Sequence, residues 1–346
     1  MISVKQLENR VNELITAGNL TELQITQLLS IPNFLNNAKS VVQSISDLPD
    51  PIENEGRLVY VIDEEDFYFT QFEEWTNDFD SSSTVTSIVY SWGDNGNGKL
   101  GDGTTSGKSS PVTVIGAITN WSQVSGGGSH SLGVTDTGIA YAWGAGLSGR
   151  LGDGTTADKS SPVTVIGGIT DWSQVSGGFS HSLGVTDSGI AYAWGNNFRG
   201  FLGDGTTTAR LSPVTVVGEI TNWSQVSAGN NRSLGVTDDG IAYGWGDNGA
   251  GRLGDGTTIN RSSPVTVISG ITNWTQVSSG DGSLGVTDDG IAYAWGSNNY
   301  GELGDGTTTN RSSPVTVIGA ITNWSQVSGG DAHSLGIVTS SKGFNE

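Results

Sequence analysis

Residues 181–230 read HSLGVTDSGIAYAWGNNFRGFLGDGTTTARLSPVTVVGEITNWSQVSAGN, and this stretch decides the fold because near-copies of it follow one another along the chain. A second tryptophan lies 29 residues after the tryptophan of each Trp-Gly pair, and the string LGDGTT lies between the two. Repeats of about 40–50 residues with four strands each are typical of β-propeller blades. The first tryptophan recurs in steps of 51, 51, 51 and 50 residues, at Trp92, Trp143, Trp194, Trp245 and Trp295.

Each copy is predicted to contain four short strands. In one copy they are, in chain order, SLGVT (131–135), IAYAW (139–143), PVTVI (162–166) and WSQVS (172–176). β-branched residues are frequent in these segments, and the TDTG turn between the first two is a strong hairpin signal. The 53 glycines among 346 residues also favour an architecture with many turns. The predicted fold class is therefore mainly β.

The two ends of the repeat region, residues 87–339, predict a closed ring. The first copy starts at SIVYSWG (87–93) without its first strand, and the last copy ends at HSLGIVT (333–339), which supplies that strand alone. We therefore predict a five-bladed β-propeller whose last blade combines three N-terminal strands with one C-terminal strand. Pairing of residues 334–339 with residues 88–92 would leave no open sheet edge.

The composition excludes several classes of function. Fifteen Lys and Arg against 35 Asp and Glu give a net charge of −20, which argues against a protein that binds the phosphate backbone of nucleic acids. Cysteine is absent, so thiolate metal sites and cysteine nucleophiles are excluded. No stretch has the roughly 18 apolar residues needed to cross a bilayer, and the N-terminus does not resemble a secretory signal. We expect synthesis in a cytoplasm and no membrane insertion.

The pattern YAWGxNxxGxLGDGTT…PVxV…WSQVSxGxxHSLGVTDxG resembles the regulator of chromosome condensation repeat over residues 87–339. This resemblance implies a β-propeller, which in that family most often has seven blades. Members of the family include a nucleotide exchange factor for a small GTPase, a protein inhibitor of β-lactamases and a light sensor. Because all three act through contacts with other proteins, the resemblance implies binding rather than catalysis.

The N-terminal segment, residues 1–47, is predicted to be helical and to serve as an anchor. Apolar residues spaced three and four apart over residues 4–14 predict a first helix. A capping-box pattern at Asn19 predicts a second helix. Pro32 can begin a third, with Ala38 among the apolar residues of one face.

Residues 48–76 are predicted to form a β-hairpin module. GRLVYVIDEEDFYFTQFEEW (56–75) contains two apolar segments separated by an acidic turn. The LP…GRLVYV…FYF…W pattern resembles a short element of the fibres and appendages of tailed bacteriophages. Residues 77–86 are interpreted as a linker and residues 340–346 as a tail.

The copies differ mainly in loops that we expect on one face of the propeller, so this face is the candidate binding site. Aromatic residues and arginines on such a rim are typical of interface hot spots. The candidate residues in these loops are Phe179, Phe198, Arg199, Phe201, Arg210, Arg232 and Tyr300.

Catalytic and metal sites are not expected. His130, His181 and His333 occupy the same position of successive copies, which separates them around the ring and favours structural roles. An aspartate in a tight Asp-Gly loop such as LGDGTT more often bonds its own backbone than a metal. No set of nucleophile, base and orienting residue is visible, so we predict a protein that is not an enzyme and has no cofactor.

The leading functional hypothesis is a structural or appendage protein of a phage virion. Residues 1–76 would dock on virion proteins, and the propeller loops would bind a host surface receptor or glycan, or neighbouring subunits. The protein would assemble as a homo-oligomer. The alternatives are a bacterial propeller that regulates or inhibits a protein partner, and a lectin with one pocket per blade.

Overall fold

The computed structural model describes residues 87–319 and 321–339 in full and, before them, the backbone of four strands. The chain divides into two units, Met1–Val85 and Thr86–Glu346. In the part of the chain that is described, no helix is long and apolar enough to span a membrane.

The first unit contains a four-stranded sheet of β1 (Ala38–Val42), β2 (Leu58–Val61), β3 (Asp66–Gln71) and β4 (Glu74–Thr76). β1 is parallel to β2, and the later pairs are antiparallel. Leu58 lies opposite Phe69 in the ladder between β2 and β3, which is the predicted hairpin.

The predicted third helix is wrong, because residues 38–42 form β1 and pair with β2. The backbone of this segment, which ends in two β-branched valines, is paired with a neighbouring strand, and tertiary pairing overrides a weak helical pattern. The two helices expected before residue 30 lie outside the described residues, as do the linker 77–86 and the tail 340–346.

The second unit contains four complete antiparallel sheets that repeat as the blades of a β-propeller, as the sequence predicted. The first consists of β7 (Trp121–Gly126), β8 (His130–Thr135), β9 (Ala140–Gly144) and β10 (Lys159–Thr164). The second consists of β11 (Trp172–Gly177), β12 (His181–Thr186), β13 (Ala191–Gly195) and β14 (Arg210–Thr215). The third consists of β15 (Trp223–Ala228), β16 (Arg232–Thr237), β17 (Ala242–Gly246) and β18 (Arg261–Thr266). The fourth consists of β19 (Trp274–Ser279), β20 (Gly282–Thr287), β21 (Ala292–Gly296) and β22 (Arg311–Thr316).

The WSQVS strand is the first strand of each complete sheet. The sequence analysis had predicted it as the last strand of the preceding blade. β11 pairs with β12, so that Val175 lies opposite Gly184. Only residues 178–180 separate these two strands, and such a short connection favours a hairpin. The predicted phase of the repeat was therefore wrong by one strand.

Tryptophans fill the space between successive sheets. Trp172 of β11 and Trp194 of β13 belong to one apolar cluster with Leu132 and Val134 of the preceding sheet. The two indoles meet edge to face, with their ring centroids 5.7 Å apart. A Cβ on Gly184 would lie 2.4 Å from Cζ3 of Trp172, so the strand needs glycine where the ring crosses it.

The predicted closing blade is wrong. The array ends in two separate two-stranded sheets, and within the described residues no ladder joins the last strand to the first. The WSQVS strand at Trp121 is already paired with β8, so three N-terminal strands are not available for a composite blade. The two half-sheets consist of β5 (Tyr90–Gly93) with β6 (Lys108–Thr113), and of β23 (Trp324–Gly329) with β24 (Ser334–Val338).

Candidate functional site

The divergent loops emerge on one face, as the sequence predicted. Strands alternate in direction within each sheet, so the loop between its first two strands and the loop between its last two lie at the same end. Arg150 Nη1 donates to the carbonyl of Phe179 at 3.2 Å, and the Asn196 amide donates to the carbonyl of Ser180 at 3.0 Å. We call this surface the variable face; its loops are residues 94–107, 127–129, 145–158, 178–180, 196–209, 229–231, 247–260, 280–281, 297–310 and 330–333.

Four of the seven candidate residues are accessible on the variable face. Phe198 is 72% exposed and Tyr300 is 79% exposed, and Phe179 is also exposed. The Arg199 guanidinium lies over the Phe198 ring, 5.9 Å from its centroid, and the same group pairs with Asp247. The structure therefore places three aromatic side chains and an accessible arginine on three loops of the variable face, with Phe198 and Arg199 adjacent on one of them.

The other three candidates have structural contacts. Phe201 is 3% exposed and its ring centroid lies 5.6 Å from that of His181, so it faces the interior. Arg232 is 2% exposed. Arg210 is bound to Asp204, to which its Nε donates at 2.8 Å. Phe201 and Arg232 were therefore wrong as contact residues, because both side chains are buried, Phe201 near His181 and Arg232 against the next blade.

A chain of charged side chains connects three blades across the variable face. Arg199 pairs with Asp247, which also accepts a bond from Arg252 Nη1 at 3.4 Å. Arg252 Nη2 continues the chain to Asp281 at 2.9 Å. Because the four residues lie on three loops, this network holds these loops in a defined arrangement.

The LGDGTT aspartates bond their own loops, as expected. Asp102 Oδ1 accepts the Thr104 amide at 3.0 Å, and Lys108 Nζ lies 3.2 Å from Oδ2. Burial alone would raise the pKa of Asp102, but the bonds from Thr104, Lys108 and Asn95 outweigh it and lower the pKa to about 2. Among the described residues, no group of three or more His, Asp or Glu could hold a metal.

Buried asparagines complete these loops, and the sequence analysis did not identify them. Asn197 Nδ2 donates to Asp204 Oδ1 at 2.9 Å, and its Oδ1 accepts the Leu202 amide at 2.9 Å. The same arrangement occurs at Asn95, Asn248 and Asn298. The repeated spacing of this asparagine, three residues after the Trp-Gly tryptophan, was the available signal. The sequence analysis also missed Leu147 and Ile259, which are exposed on the variable face.

Two of the three histidines join neighbouring blades. His130 Nε2 lies 2.8 Å from Ser182 Oγ, and His181 Nε2 lies 3.0 Å from Ser233 Oγ. Both rings are buried, whereas His333 at the end of the array is exposed. Burial, together with the charge of Arg150, lowers the pKa of both buried histidines to about 3.

We expect stability to fall between pH 6.5 and about 3 because of His130 and His181. Their pKa in the folded protein lies below the ordinary value of 6.5, so the unfolded chain binds more protons in this range and gains stability as the pH falls. Urea unfolding of His130→Gln should show a smaller change of midpoint between pH 7 and pH 5 than the wild type. His333→Gln is the control, and an equal reduction in both variants would contradict the assignment.

Among the described residues, the charged side chains of the opposite face are all acidic. Its turns carry exposed aspartates, and the loops that form it contain no Lys or Arg. Asn222 Nδ2 donates to Asp239 Oδ2 at 2.7 Å, and Ser188 Oγ donates to Asp171 Oδ2 at 3.2 Å. Because these contacts and sequences repeat from blade to blade, this acidic face has little that distinguishes one blade from the next.

Comparison with protein families agrees with the repeat seen in the structure. The model of the regulator of chromosome condensation (RCC1) repeat matches five segments: residues 88–134, 137–185, 188–236, 239–285 and 289–337. The chain belongs to the RCC1 repeat family. A second RCC1 repeat model matches residues 172–200 and 223–252.

Curated relatives share part of the RCC1 array. The ultraviolet-B receptor UVR8 of Arabidopsis thaliana is 36% identical over 189 residues, which are 53% of this chain and 42% of UVR8. The human E3 ubiquitin-protein ligase HERC2 is 36% identical over 163 residues, which are 46% of this chain and 3% of HERC2. This chain thus spans less than half the length of either relative.

Solved RCC1-like structures share the fold. Human WBSCR16 superposes with a TM-score of 0.64 at 23% identity, covering 72% of this chain and 67% of that one. Prp20p of Saccharomyces cerevisiae superposes with a TM-score of 0.63 at 21% identity, covering 73% of this chain and 65% of that one. None of these four relatives is named as a virion protein, so the phage resemblance of residues 48–76 gains no support from them.

Proposed function

We propose that this chain is a non-enzymatic regulator that binds a protein partner through the variable face of its RCC1 repeats. The observation that supports this most directly is the exposure of Phe198, Arg199 and Tyr300 on loops that differ between otherwise similar blades. Exposed aromatic and arginine side chains are the types that contribute most to protein interfaces.

The contacts around Phe198 favour a preorganised surface. The ring lies beneath the Arg199 guanidinium, which is itself paired with Asp247 of the next blade. The Phe198 amide donates to Asn196 Oδ1 at 3.0 Å. Fewer side chains need to be ordered on binding when they are already held in place, so less conformational entropy is lost.

Family membership supports a binding role without naming the partner. The Prp20p structure is described with binding to Gsp1p and histones, UVR8 is named as a light receptor and HERC2 as a ubiquitin ligase. One fold thus serves several functions, and the partner must be sought from the site itself. The virion and lectin hypotheses have no specific contact in the described residues that favours them.

We expect the variant Phe198→Ala/Arg199→Ala/Tyr300→Ala to retain at least tenfold less partner than the wild type. To find the partner, the wild-type chain is immobilised and exposed to a lysate of the cells that naturally express this chain. The partner is the protein that is retained at constant stoichiometry, and mass spectrometry identifies it. All three side chains are partly or largely exposed, so the melting temperature should change by less than about 2 °C.

The matched control changes the acidic face by Asp136→Asn/Asp187→Asn/Asp239→Asn. This control should retain the same partner as the wild type. Equal retention by all three proteins would refute the variable face as the binding site, and loss only in the acidic-face variant would move the site to the opposite side.

A further inference from the structure

One tryptophan of the repeat lacks the environment that the others share. Trp92 is 63% exposed, although it occupies the same repeat position as Trp194, which is 0% exposed. Trp143, Trp245 and Trp295 are also buried. Each buried indole lies between its own sheet and the preceding one, and Trp92 has no preceding sheet within the described residues.

A cavity at the other end of the array lacks such an indole. It has a volume of about 320 Å³ and lies between the fourth complete sheet and the half-sheet β23–β24. Leu284, Ala292, Leu303, Val317 and Trp324 line it. The apolar clusters at the three preceding interfaces each include a Trp-Gly tryptophan, and the cluster at this interface does not.

The glycine next to the cavity shows where the indole would lie. A Cβ on Gly152 would be 2.8 Å from Nε1 of Trp194, whereas a Cβ on the equivalent Gly304 would meet only Val317, at 3.1 Å. Trp194 Nε1 donates to the carbonyl of Arg150 at 2.9 Å. Glu302 stands at the equivalent position of the last copy, so its carbonyl is the matching acceptor for Trp92.

The exposed edges of the two half-sheets are also complementary. In the second complete sheet, Leu183 lies opposite Ala193 and Gly184 lies opposite Tyr192. By the same register, Leu335 of β24 would lie opposite Ser91 of β5. Leu335 is 65% exposed, whereas Leu183 is 0% exposed.

We propose that two copies of this chain associate head to tail, with β24 of one copy paired to β5 of the other and Trp92 inserted into the cavity beside Gly304. Two half-sheets then make one four-stranded blade with the register of the complete sheets. A second copy is the occupant because the cavity and edge at one end match the side chain and edge at the other, and the two ends of one chain are in separate sheets. Such a heterologous contact leaves one free end on each copy and can extend.

The experiment uses single cysteines, since the chain has none. Ser91→Cys and Leu335→Cys lie on directly opposite residues of the proposed ladder, within the reach of a disulfide. Their equimolar mixture, oxidised and run on a non-reducing gel, should give at least ten times more linked dimer than a mixture of Leu335→Cys with Ile259→Cys. Ile259 is exposed on a complete blade and serves as the matched control.

The double variant Ser91→Cys/Leu335→Cys distinguishes pairing between copies from closure of one chain. Pairing between copies should give linked dimers and longer species. A link within a single chain would overturn the proposal in favour of ring closure, and the absence of any excess over the control would overturn both. The test does not depend on the variable face, so its outcome is separate from that of the proposed function.

Insertion of the indole is tested by sedimentation at increasing protein concentration. Trp92→Ala removes the inserted side chain, and Val317→Trp fills the cavity from its rim. Each variant should remain monomeric where the wild type associates, and their mixture should stop at one-to-one dimers because each retains one competent end. Association of either variant alone to the extent of the wild type would refute the insertion.

Discussion

Trp194→Ala is expected to lower the free energy of unfolding by about 3–5 kcal/mol. The indole is fully buried, packs edge to face on Trp172 and donates to the carbonyl of Arg150. Its removal leaves a cavity between two blades and takes away one of the two hydrogen bonds to the Arg150 carbonyl, which keeps only the bond from Ser182 Oγ. Urea unfolding followed by circular dichroism measures the loss.

Trp92→Ala is the matched control for this prediction. The substitution and the repeat position are the same, but Trp92 is exposed, so the free energy of unfolding should change by less than about 1 kcal/mol. The comparison requires dilute protein, because the proposed association would bury Trp92. Equal losses for the two variants in dilute protein would mean that Trp92 is buried within a single chain, against the open array described above.

Arg232→Met is expected to lower the free energy of unfolding by about 3 kcal/mol. The guanidinium is buried and donates to the carbonyls of Gly280, Asp281 and Gly282 of the next blade. Methionine fills similar volume but cannot donate, so the buried Gly280 carbonyl loses its hydrogen bond, while Asp281 and Gly282 keep bonds from Arg252 and from the Gly280 amide. Hydrogen exchange should also show faster exchange in residues 280–282 than in the equivalent loops.

Arg210→Met is the control for Arg232→Met. Arg210 is partly exposed and bonds Asp204, whose carboxylate keeps bonds from Asn197 and Thr206, so we expect a loss of about 0–1 kcal/mol. The two substitutions are chemically identical and differ in burial and in what the guanidinium binds. A loss at position 210 as large as that at position 232 would show that the backbone carbonyls do not account for the effect.

Arg232 also contacts the copy whose missing residue makes one step of the repeat 50 residues instead of 51. It takes the position of His130 and His181, which reach only a serine of the next blade. Its longer side chain reaches Ser283 and three carbonyls in the copy that is one residue shorter. In the sequence, the one-residue deletion and Arg232 are separate features. Only the contact between Arg232 and the shortened loop shows that the longer side chain compensates for the deletion.

Residues of one loop show how far sequence reasoning could predict the site. Phe198 and Phe201 are both aromatic residues of the variable loop after Trp194, and composition gives no reason to separate them. In the structure Phe198 faces solvent, whereas Phe201 packs near His181. The difference depends on a neighbouring strand that is distant in sequence, so local pattern could not predict it.

The sequence alone determined the repeat, the β architecture, the face on which the divergent loops lie and the internal role of the LGDGTT aspartates. These features depend on contacts within a few residues or on a pattern repeated five times. The tertiary structure decided which strand opens each blade, which candidate side chains are buried and whether the array closes. A strand's sequence determines which side chains it presents, but its backbone can pair with any suitable edge. The strands β5 and β24 therefore resemble strands that are paired on both edges in the complete sheets, and among the described residues only their positions in space leave one edge of each unpaired.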